Sequence, residues 1–353
     1  MKIEIRPEWV LKKVDGSAIS LPLLLKLLTE VRDQGSISQA AASVGLSYRH
    51  AWQLLREFDE QFGAALVQKT RGRGTVLSPL AEKLIWADKR IAARLSPMLD
   101  SLASELEQEL AVLLATNRRA VRITASHGFA VAALINQMGE KKMAVDLKYR
   151  NSTEAVTALS RGECDLAGFH LPMGEFEPVA AAQYLKWINP RQHALIHLAY
   201  RMQGLFVAKG NPKAIRGLAD LTRNDIRFVN RQHGSGTRML LELFLAKHGI
   251  RTADIAGYES AEFTHAAVAA YVASDMADVS FGVEAAARRF DLDFIPIVRE
   301  RYFFACDQIA LNEPPTSAVR TIMLSEKYRS VVSDLAGYDA ALSGSVLNLE
   351  AML

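Results

Sequence analysis

The stretch from Ser36 to Phe62 constrains the fold of this chain more than any other. Ser36 and Ser38 can cap a first short helix and Ser47 a second, because a serine hydroxyl accepts the amide protons that a helix start leaves unpaired. Gly45, between the two helices, tolerates the positive φ of a tight turn. The second helix has an apolar stripe at helical spacing, formed by Ala51, Leu55, Phe58 and Phe62. The sequence therefore predicts two short helices joined by a tight turn.

The polar face of the second predicted helix indicates a role beyond packing. Its side chains can donate hydrogen bonds to base edges or to phosphates, which a buried structural helix has no reason to display. The candidate DNA-binding residues of this helix and its cap are Ser47, Tyr48, Arg49, Trp52, Gln53 and Arg56. A purely structural alternative stays open, because amphipathic helix pairs around a glycine occur in many folds.

A basic hairpin is predicted directly after this helix pair. Two β-prone segments, Val67 to Thr70 and Thr75 to Leu77, flank a glycine-containing turn without acidic residues. Basic side chains in such a hairpin can contact phosphates. They are Lys69, Arg71 and Arg73. Helix pair and hairpin together predict a mainly α-helical winged helix-turn-helix domain over residues 1–78, with double-stranded DNA as its partner.

A long helix is predicted from Pro79, in a linker region that extends to residue 117. Ser78 and Pro79 resemble a cap followed by a proline at the first helical position. Leucines recur every three or four residues before and after Pro97, which interrupts the pattern. Such a stripe suits the seam of a homodimer, or of a tetramer built from dimers, and would space two recognition helices about one DNA turn apart. The alternative is packing of the stripe against its own chain.

Residues 118–353 alternate between β-prone and helical segments, which is typical of an α/β domain with a mostly parallel sheet. Strands are predicted near Val121–Ser126, Met143–Tyr149, Asp165–His170, Ala194–Ala199, Leu205–Ala208, Arg227–Val229, Asp278–Phe281 and Phe294–Val298. Later helices are predicted at Arg238–His248 and Ala261–Ala273. A region of this size exceeds a minimal single sheet, so we expect two lobes with a cleft between them.

Composition and missing motifs exclude several classes of protein. The net charge of +3 is mild, so the basic character is local. The two cysteines lie far apart and lack CxxC spacing, which favours small buried residues in a reducing compartment. Without a signal-peptide core or an apolar run of roughly 18 residues, we expect a cytoplasmic protein with no membrane partner. The motifs of hydrolases, P-loop proteins and zinc sites are absent, so we expect neither an enzyme nor a bound cofactor or metal.

Polar residues follow several predicted strands, where an open α/β sheet places its ligand crevice. The segment from Arg231 to Arg238 carries glycines, hydroxyls and two arginines at a helix start, which are the parts of an oxyanion site. The candidate ligand-binding residues are Ser126, His127, Asn151, Ser152, Thr153, Arg231, Gly234, Ser235, Gly236, Thr237 and Arg238, with His170, Thr264 and His265 as weaker candidates. The alternatives are ordinary helix capping and, for a histidine at a strand end, simple packing.

Particular phrases of the sequence resemble known families. GSISQAAASVG followed by LSYRHAW resembles the DNA-binding domain of ModE-type molybdate-responsive regulators, and more loosely that of LysR-type regulators, over about residues 20–80. ALSRGECDLAGFHL, FVNRQHGSGTRMLLE and THAAVAAYVASDMADVSFGVEAAA resemble cytosolic periplasmic-binding-protein-like domains. The second resemblance implies a ligand held between two lobes joined by crossing strands. One lobe would comprise about 121–202 and 302–353, and the other about 203–301.

Together the resemblances imply a transcriptional regulator whose two-lobed domain, over residues 118–353, senses a small oxyanion. Molybdate, tungstate and molybdenum-cofactor species are the first effectors implied, although the small molybdate-binding domains that usually follow a ModE-type domain are not recognisable here. Formate or another small carboxylate would suit Arg231 and Arg238 equally well. The alternative is a cytosolic molybdopterin-binding or biosynthetic protein in which the winged domain mediates protein contacts.

Overall fold

A computed structural model describes residues 2–13, 16–70, 74–113 and 120–347 of the chain. Contacts divide the chain into two compact units, one comprising Arg6–Leu95 and the other comprising Met1–Ile5 together with Ser96–Leu353. The functional division expected at residues 78 and 117 stays a prediction. Each unit has its own apolar core, so each is described separately.

The first unit consists of three helices and two small hairpins. Its elements are β1 (Val10–Lys12), β2 (Ala18–Ser20), α1 (Pro22–Gln34), α2 (Ile37–Ser43), α3 (Tyr48–Phe62), β3 (Val67–Thr70), β4 (Gly74–Leu77) and the beginning of α4 (Pro79–Leu113). The Ser36 hydroxyl accepts the amide of Gln39, and the Ser47 hydroxyl accepts the amide of His50, 3.2 Å away. Ser36 and Ser47 are therefore confirmed as caps, as is the helix pair that they begin, whereas Ser38 lies within the first turn of α2.

The predicted apolar stripe of α3 forms part of the core of the first unit. Ala51, Leu55 and Phe58 are fully buried against α1 and α2, while Phe62 at the end of the stripe is half-buried. The opposite side of α3 is exposed. Burial of one face leaves the polar face of this helix available for contacts outside the protein.

The wing, defined as the antiparallel pair β3 and β4, is held against the end of α1. The amide of Thr75 donates to the carbonyl of Gly35 at 2.8 Å. Gly74 has a φ of +76°, and a Cβ on this residue would lie 2.5 Å from the Gly35 carbonyl oxygen. Only glycine fits this position without displacing the backbone, so Gly74 allows the second strand of the wing to pack against the end of α1. Arg71 and Arg73, at the predicted wing tip, lie outside the described residues.

The second unit is built on one mixed sheet covered by helices. Its first elements are β5 (Val121–Ala125), α5 (Phe129–Glu140), β6 (Val145–Tyr149), α6 (Ser152–Ser160), β7 (Leu166–Pro172), α7 (Glu177–Tyr184) and β8 (His193–Val207). They are followed by β9 (Phe228–Arg231), α8 (Gly236–Lys247), β10 (Ala261–Glu262), α9 (His265–Ala273), β11 (Val279–Val283), α10 (Glu284–Arg289), β12 (Asp293–Asp307), α11 (Thr316–Leu324), α12 (Glu326–Ser333), β13 (Tyr338–Asp339) and β14 (Val346–Leu347).

Two long antiparallel strands, β8 and β12, run through both lobes of this unit. The sheet order is β10-β9-β11-β8-β12-β7-β5-β6, with β13 and β14 also paired to β8. In one lobe β12 borders β7, which continues into the parallel strands β5 and β6. In the other lobe β8 borders β11, which is parallel to β9. The predicted fold class, a winged helix-turn-helix followed by a two-lobed α/β domain, is confirmed.

Four predicted elements differ from the structure. The strands expected at Ala194–Ala199 and Leu205–Ala208 are a single strand, β8, and the strand expected at Phe294–Val298 continues to Asp307. The helix expected from Ala261 begins only at His265, because the short strand β10 precedes it. The sequence therefore predicted both ends of β8 but not its middle, and only the first part of β12.

The second half of α4 covers the outer edge of strand β6. The hydroxyl of Ser104 accepts the amide of Leu147 at 2.8 Å, and the hydroxyl of Ser101 accepts the amide of Tyr149 at 3.1 Å. The amide group of Gln108 donates to the carbonyl of Val145 at 3.0 Å. Backbone groups that a sheet edge would leave unpaired thus find partners on the helix.

Cys164 and Cys306 are buried free thiols, as the sequence predicted. Burial raises the pKa of Cys164 to about 11 and that of Cys306 to about 12, so both stay protonated at neutral pH. Among the described residues, no helix combines the length and the apolarity needed to cross a membrane.

Candidate functional site

Polar side chains from both lobes meet in the cleft at the strand ends. Ser126 and His127 follow β5, and His170 lies within β7 near its end. A Cβ on Gly236, at the start of α8, would lie 3.5 Å from both the Nδ1 of His170 and the hydroxyl of Ser152. The start of α8 in one lobe therefore faces the start of α6 and the end of β7 in the other.

Arg231, the last residue of β9, is the central cation of this cluster. Its side chain is 3% exposed, and its Nη2 donates to the carbonyl of Phe263 at 2.7 Å. Its Nε and Nη1 have no hydrogen-bond partner among the described residues. Burial, and then the charge of Arg201, lower the pKa of Arg231 to about 9. Arg231 is therefore still charged at neutral pH, with two buried donors to offer to an anion.

Three histidines lie around Arg231 and are neutral at neutral pH. Burial, followed by the charges of Arg231 and Arg289, lowers the pKa of His127 to about 4. Burial and the charges of Arg201 and Arg231 also hold the pKa values of His170 and His265 well below the usual range. Each ring can thus present a nitrogen to a ligand without itself carrying charge.

Specific contacts orient two of these rings. The Nδ1 of His170 is 3.1 Å from the hydroxyl of Ser152, and its ring lies 3.9 Å from that of Tyr302. The ring of His127 packs edge-on against Tyr149 at 4.9 Å. The Nε2 of His170 and the Nδ1 of His265 are buried and have no hydrogen-bond partner in the described part of the chain.

The crossing strands supply four further residues that sequence reasoning missed. Arg201, in β8, is 1% exposed and forms an ion pair with Glu300 of β12. Burial, the largest single effect, acts to lower the pKa of Arg201, but the charge and hydrogen bond of Glu300, together with Tyr338 and Tyr302, raise that pKa overall. Gln203 donates to Glu300 at 2.8 Å and to the hydroxyl of Thr237 at 3.0 Å. The fourth residue, Tyr302, donates to the carbonyl of Ser126 at 3.2 Å.

Several predicted ligand-binding residues serve as helix caps. The hydroxyl of Ser235 accepts the amide of Arg238 at 3.2 Å, and that of Thr264 accepts the amide of Ala267 at 2.8 Å. Asn151 forms a capping box with Glu154 at the start of α6. The capping alternative therefore accounts for these acceptor atoms. Gly234 nonetheless faces Asn151 across the cleft, since a Cβ on Gly234 would lie 2.8 Å from its side-chain nitrogen.

Two predicted residues are engaged by other protein groups. The Nη1 of Arg238 donates to the backbone carbonyl of Arg231 at 3.5 Å. The guanidinium of Arg238 pairs with Glu242 at 3.1 Å and with Glu259 at 3.4 Å, so its charge is already balanced. Thr153 lines a different cavity, of about 350 Å³, together with Lys148 and Arg150. The interpretation of Arg238 and Thr153 as ligand contacts therefore finds no geometric support.

The predicted DNA-binding residues that the structure describes share one face of the first unit. A groove along α3 is lined by Tyr48, Arg49, Trp52, Gln53, Arg56, Glu57 and Glu60. Tyr48 is 50% exposed and meets Trp52 edge-on, with ring centroids 6.3 Å apart. The ammonium of Lys69, on the wing, lies 5.8 Å from the ring of Trp52. Ser47 is exposed at the cap of the same helix.

The groove along α3 is positive at the end near Arg49 and carries Glu57 and Glu60 at the other. Binding of a polyanion would therefore be favoured at the first two turns of the helix, where no acidic side chain lines the groove. In the described part of the chain, no group of three or more histidine, cysteine or acidic residues could hold a metal ion.

Comparison with known families matches both units. Residues 23–82 match the bacterial regulatory helix-turn-helix proteins of the lysR family, and residues 135–323 match the PBP superfamily domain. The chain is 38% identical to the protein YvgK of Bacillus subtilis over 57% of this chain and 64% of YvgK. It is 31% identical to the molybdenum-pterin-binding protein MopB of Rhodobacter capsulatus over 40% of this chain and 54% of MopB.

A third relative is the HTH-type transcriptional regulator CbbR of Sinorhizobium medicae. It is 28% identical over 63% of this chain and 65% of CbbR. The matches to YvgK, MopB and CbbR each span less than two thirds of the relative's own length.

Proposed function

Since the chain belongs to the PBP superfamily and carries a helix-turn-helix of the bacterial lysR family, we propose that it is a DNA-binding transcriptional regulator that senses a small anion in its cleft. The observation that supports an anionic ligand is the state of Arg231. This buried cation lies between the lobes and has two hydrogen-bond donors without a partner among the described residues. The lysR-family match is to regulatory proteins and not to enzymes, in agreement with the sequence-based expectation. As a DNA-binding protein it would act in the cytoplasm.

Molybdate and tungstate are the first effectors that we propose, with molybdenum-cofactor species beside them. The similarity to MopB, which is named for binding molybdenum-pterin, supports this choice, as does the resemblance to ModE-type regulators. Formate or another small carboxylate is the next choice, because the free Nε and Nη1 of Arg231 can also hold a planar anion. The close approach of the two lobes at Gly236 favours an anion of few atoms over a large one.

A thermal screen tests whether the protein binds one of the proposed anions. One of molybdate, tungstate or formate is expected to raise the melting temperature of the full chain, since a ligand that binds only the folded state stabilises it. At an anion concentration about 100 times the Kd, the free energy of unfolding rises by about 2.7 kcal/mol. If none of these anions shifts the melting temperature, the anion-sensing part of the proposal fails.

Replacing Arg49 and Arg56 together with alanine is expected to weaken DNA binding by at least about 30-fold, because each arginine contact to a base or phosphate contributes about 1–3 kcal/mol. Both side chains are exposed in the groove along α3 and pack against nothing in the core. The measurement is the Kd for DNA selected from a random pool by the wild-type protein, at two salt concentrations. The variant should also show a shallower salt dependence.

Lys26→Ala is the matched control for this DNA-binding variant. Lys26 is an exposed cation on α1, outside the groove, so its removal should leave the Kd nearly unchanged. Failure of the wild type to enrich any DNA, or wild-type affinity in the double variant, would contradict the assignment of α3 as the recognition helix. Wild-type affinity in the double variant would favour the alternative function, a molybdopterin-binding or biosynthetic protein. The similarity to MopB supports that alternative.

We further propose that α4 forms the seam of a homodimer, from which a tetramer could be built. The exposed apolar side chains along its second half are Met98, Leu102, Leu106 and Leu113. Leu102 is 47% exposed and Leu106 is 39% exposed, one helical turn apart. An exposed leucine row on a long helix is the pattern that a partner helix would cover.

The double variant Leu102→Asn with Leu106→Asn is expected to sediment as a monomer at concentrations where the wild type is a dimer. Each leucine buried in a seam contributes about 1.5–3 kcal/mol, so losing two on each protomer raises the dimer Kd by well over 100-fold. Analytical ultracentrifugation measures this. Val179→Asn, which changes a 52% exposed side chain on α7, is the control and should leave the dimer intact. A monomeric wild type would contradict the seam.

A further inference from the structure

The cluster around Arg231 contains more unused polar atoms than a singly charged ligand needs. Besides the Nε and Nη1 of Arg231, the Nε2 of His170 and the Nδ1 of His265 are buried and have no partner among the described residues. The side chain of His170 is 3% exposed and that of His265 is 4% exposed. Buried polar atoms are rarely left unsatisfied, so these four atoms together indicate a bound group with several oxygens.

The two rings are in contact with groups from every surrounding element. His170 faces Ser152 of α6 and Tyr302 of β12, and the start of α8 packs against it at Gly236. His265 packs against β11, where a Cβ on Gly282 would lie 2.8 Å from its Nδ1. The charged groups on the adjoining strands are Arg201, Arg231, Glu262 and Glu300.

The electrostatic field at these rings is positive. The charges that lower the pKa values of His127, His170 and His265 are all cationic, with Arg231 acting on each ring. Glu300 is engaged by Arg201 and Gln203. An anion beside Arg231 would reverse this field and favour the charged form of a neighbouring imidazole.

We infer that the cleft binds a doubly charged tetrahedral oxyanion together with one proton, which is taken up by the ring of His170 or His265. This inference rests on the proposed function and specifies its ligand class. The Nε and Nη1 of Arg231, the Nε2 of His170 and the Nδ1 of His265 would each donate a hydrogen bond to one oxygen of the anion. The added proton turns one neutral ring into a cation, which balances the second negative charge in a site closed to water.

Isothermal titration of the full chain with molybdate, sulfate and perchlorate tests the inference. All three ions are tetrahedral, but between about pH 6.5 and about pH 8 molybdate and sulfate carry two charges and perchlorate carries one. Titration in two buffers with different ionisation heats counts the protons taken up. We expect about one proton per bound dianion and none for perchlorate. The affinity for the dianion should rise by up to about tenfold for each pH unit lowered, since the ring gains its proton only in the complex.

Glutamine variants separate proton uptake from hydrogen bonding. A glutamine amide can still donate to the anion but cannot take up a proton. In the double variant His170→Gln with His265→Gln, proton uptake and the pH dependence should vanish, and the affinity for dianions should fall at least tenfold more than that for perchlorate. His248→Gln, at the exposed far end of α8, is the control and should behave as wild type.

The outcomes distinguish this inference from the function on which it rests. Binding of molybdate or sulfate without proton uptake, or uptake that persists in the double variant, overturns the inference and leaves anion sensing intact. A preference for perchlorate or formate over both dianions also overturns it. If none of the anions binds, both the proposed anion sensing and the inference are wrong.

Discussion

Arg231→Met is expected to abolish the gain in melting temperature that an anion gives to the wild-type protein. The variant loses the two buried donors between the lobes, and truncating one partner of a buried charged contact costs about 2–5 kcal/mol of binding free energy. Affinity should thus fall by roughly 30-fold to several thousand-fold. Thermal melts with and without molybdate, tungstate or formate measure it. Adding Ser235→Ala to Arg231→Ala should likewise leave no shift.

The same substitution should not lower the melting temperature of the anion-free protein appreciably. Arg231 is a buried cation near a second one, Arg201, and the two repel each other. A methionine removes that repulsion but leaves the Phe263 carbonyl without its donor, so the two effects offset each other and the melting temperature without anion should change little. Loss of function with nearly unchanged stability is a signature that a purely structural arginine does not give.

Arg227→Met is the matched control for Arg231→Met. Arg227 directly precedes the same strand, is more than half exposed and pairs with Asp278 at 3.0 Å. The Asp278 carboxylate is mostly buried but keeps the backbone amide of Arg227 as a partner, so this variant should lose at most about 1–3 kcal/mol of stability and should keep its full anion response. If Arg231→Met still responds to the anion like wild type, the cation that holds the ligand lies elsewhere and the cleft assignment is wrong.

Glu300→Gln is expected to destabilise the effector domain by about 3–5 kcal/mol, because it leaves the fully buried Arg201 without its counter-ion. In a domain of this size that lowers the melting temperature by roughly 10 °C. Glutamine keeps the shape of the side chain, so the loss reports charge and not packing. A saturating anion should recover more stability in this variant than in wild type, since it then meets two uncompensated guanidinium groups.

The control for Glu300→Gln is Asp339→Asn. Asp339 pairs with Arg299 at 2.9 Å, and both side chains are nearly half exposed. Removing this pair should change the free energy of unfolding by less than about 1 kcal/mol. Equal melting temperatures for the two variants would mean that the Arg201–Glu300 pair does not balance charge in the cleft.

The sequence alone was sufficient for the parts of the protein in which local signals decide the structure. Ser36 and Ser47 cap the helices that their hydroxyls predicted, and Gly45 adopts the positive φ expected of the turn. The grouping of Ser126, His170 and Arg231 near one cleft follows from the rule that strand ends gather the ligand site. These features depend on neighbouring residues or on a general property of α/β sheets.

The residues that balance charge in the cleft could not be found in the same way. Arg201 lies in the middle of β8, between two segments that were predicted as separate strands, and Glu300 lies just past the predicted end of β12. Their pairing joins positions far apart in the chain, so no local pattern reveals it. The available signal was a single arginine within the apolar run around Ala199 and Leu205. Arg238 and Glu242 are four residues apart on a predicted helix, so that pair could have been read from the sequence, whereas the pair of Arg238 with Glu259 joins separate elements.

The attachment of α4 to strand β6 determines where this protein can be divided and recombined. Because Ser101, Ser104 and Gln108 provide the partners of the outermost strand, an effector module cut at residue 120 would carry a bare sheet edge that invites pairing with other chains. A module that begins at Ser96 would keep its own cover. Exchange of sensory modules between regulators of this architecture therefore has to be made inside the long helix, and its second half has to travel with the sensor.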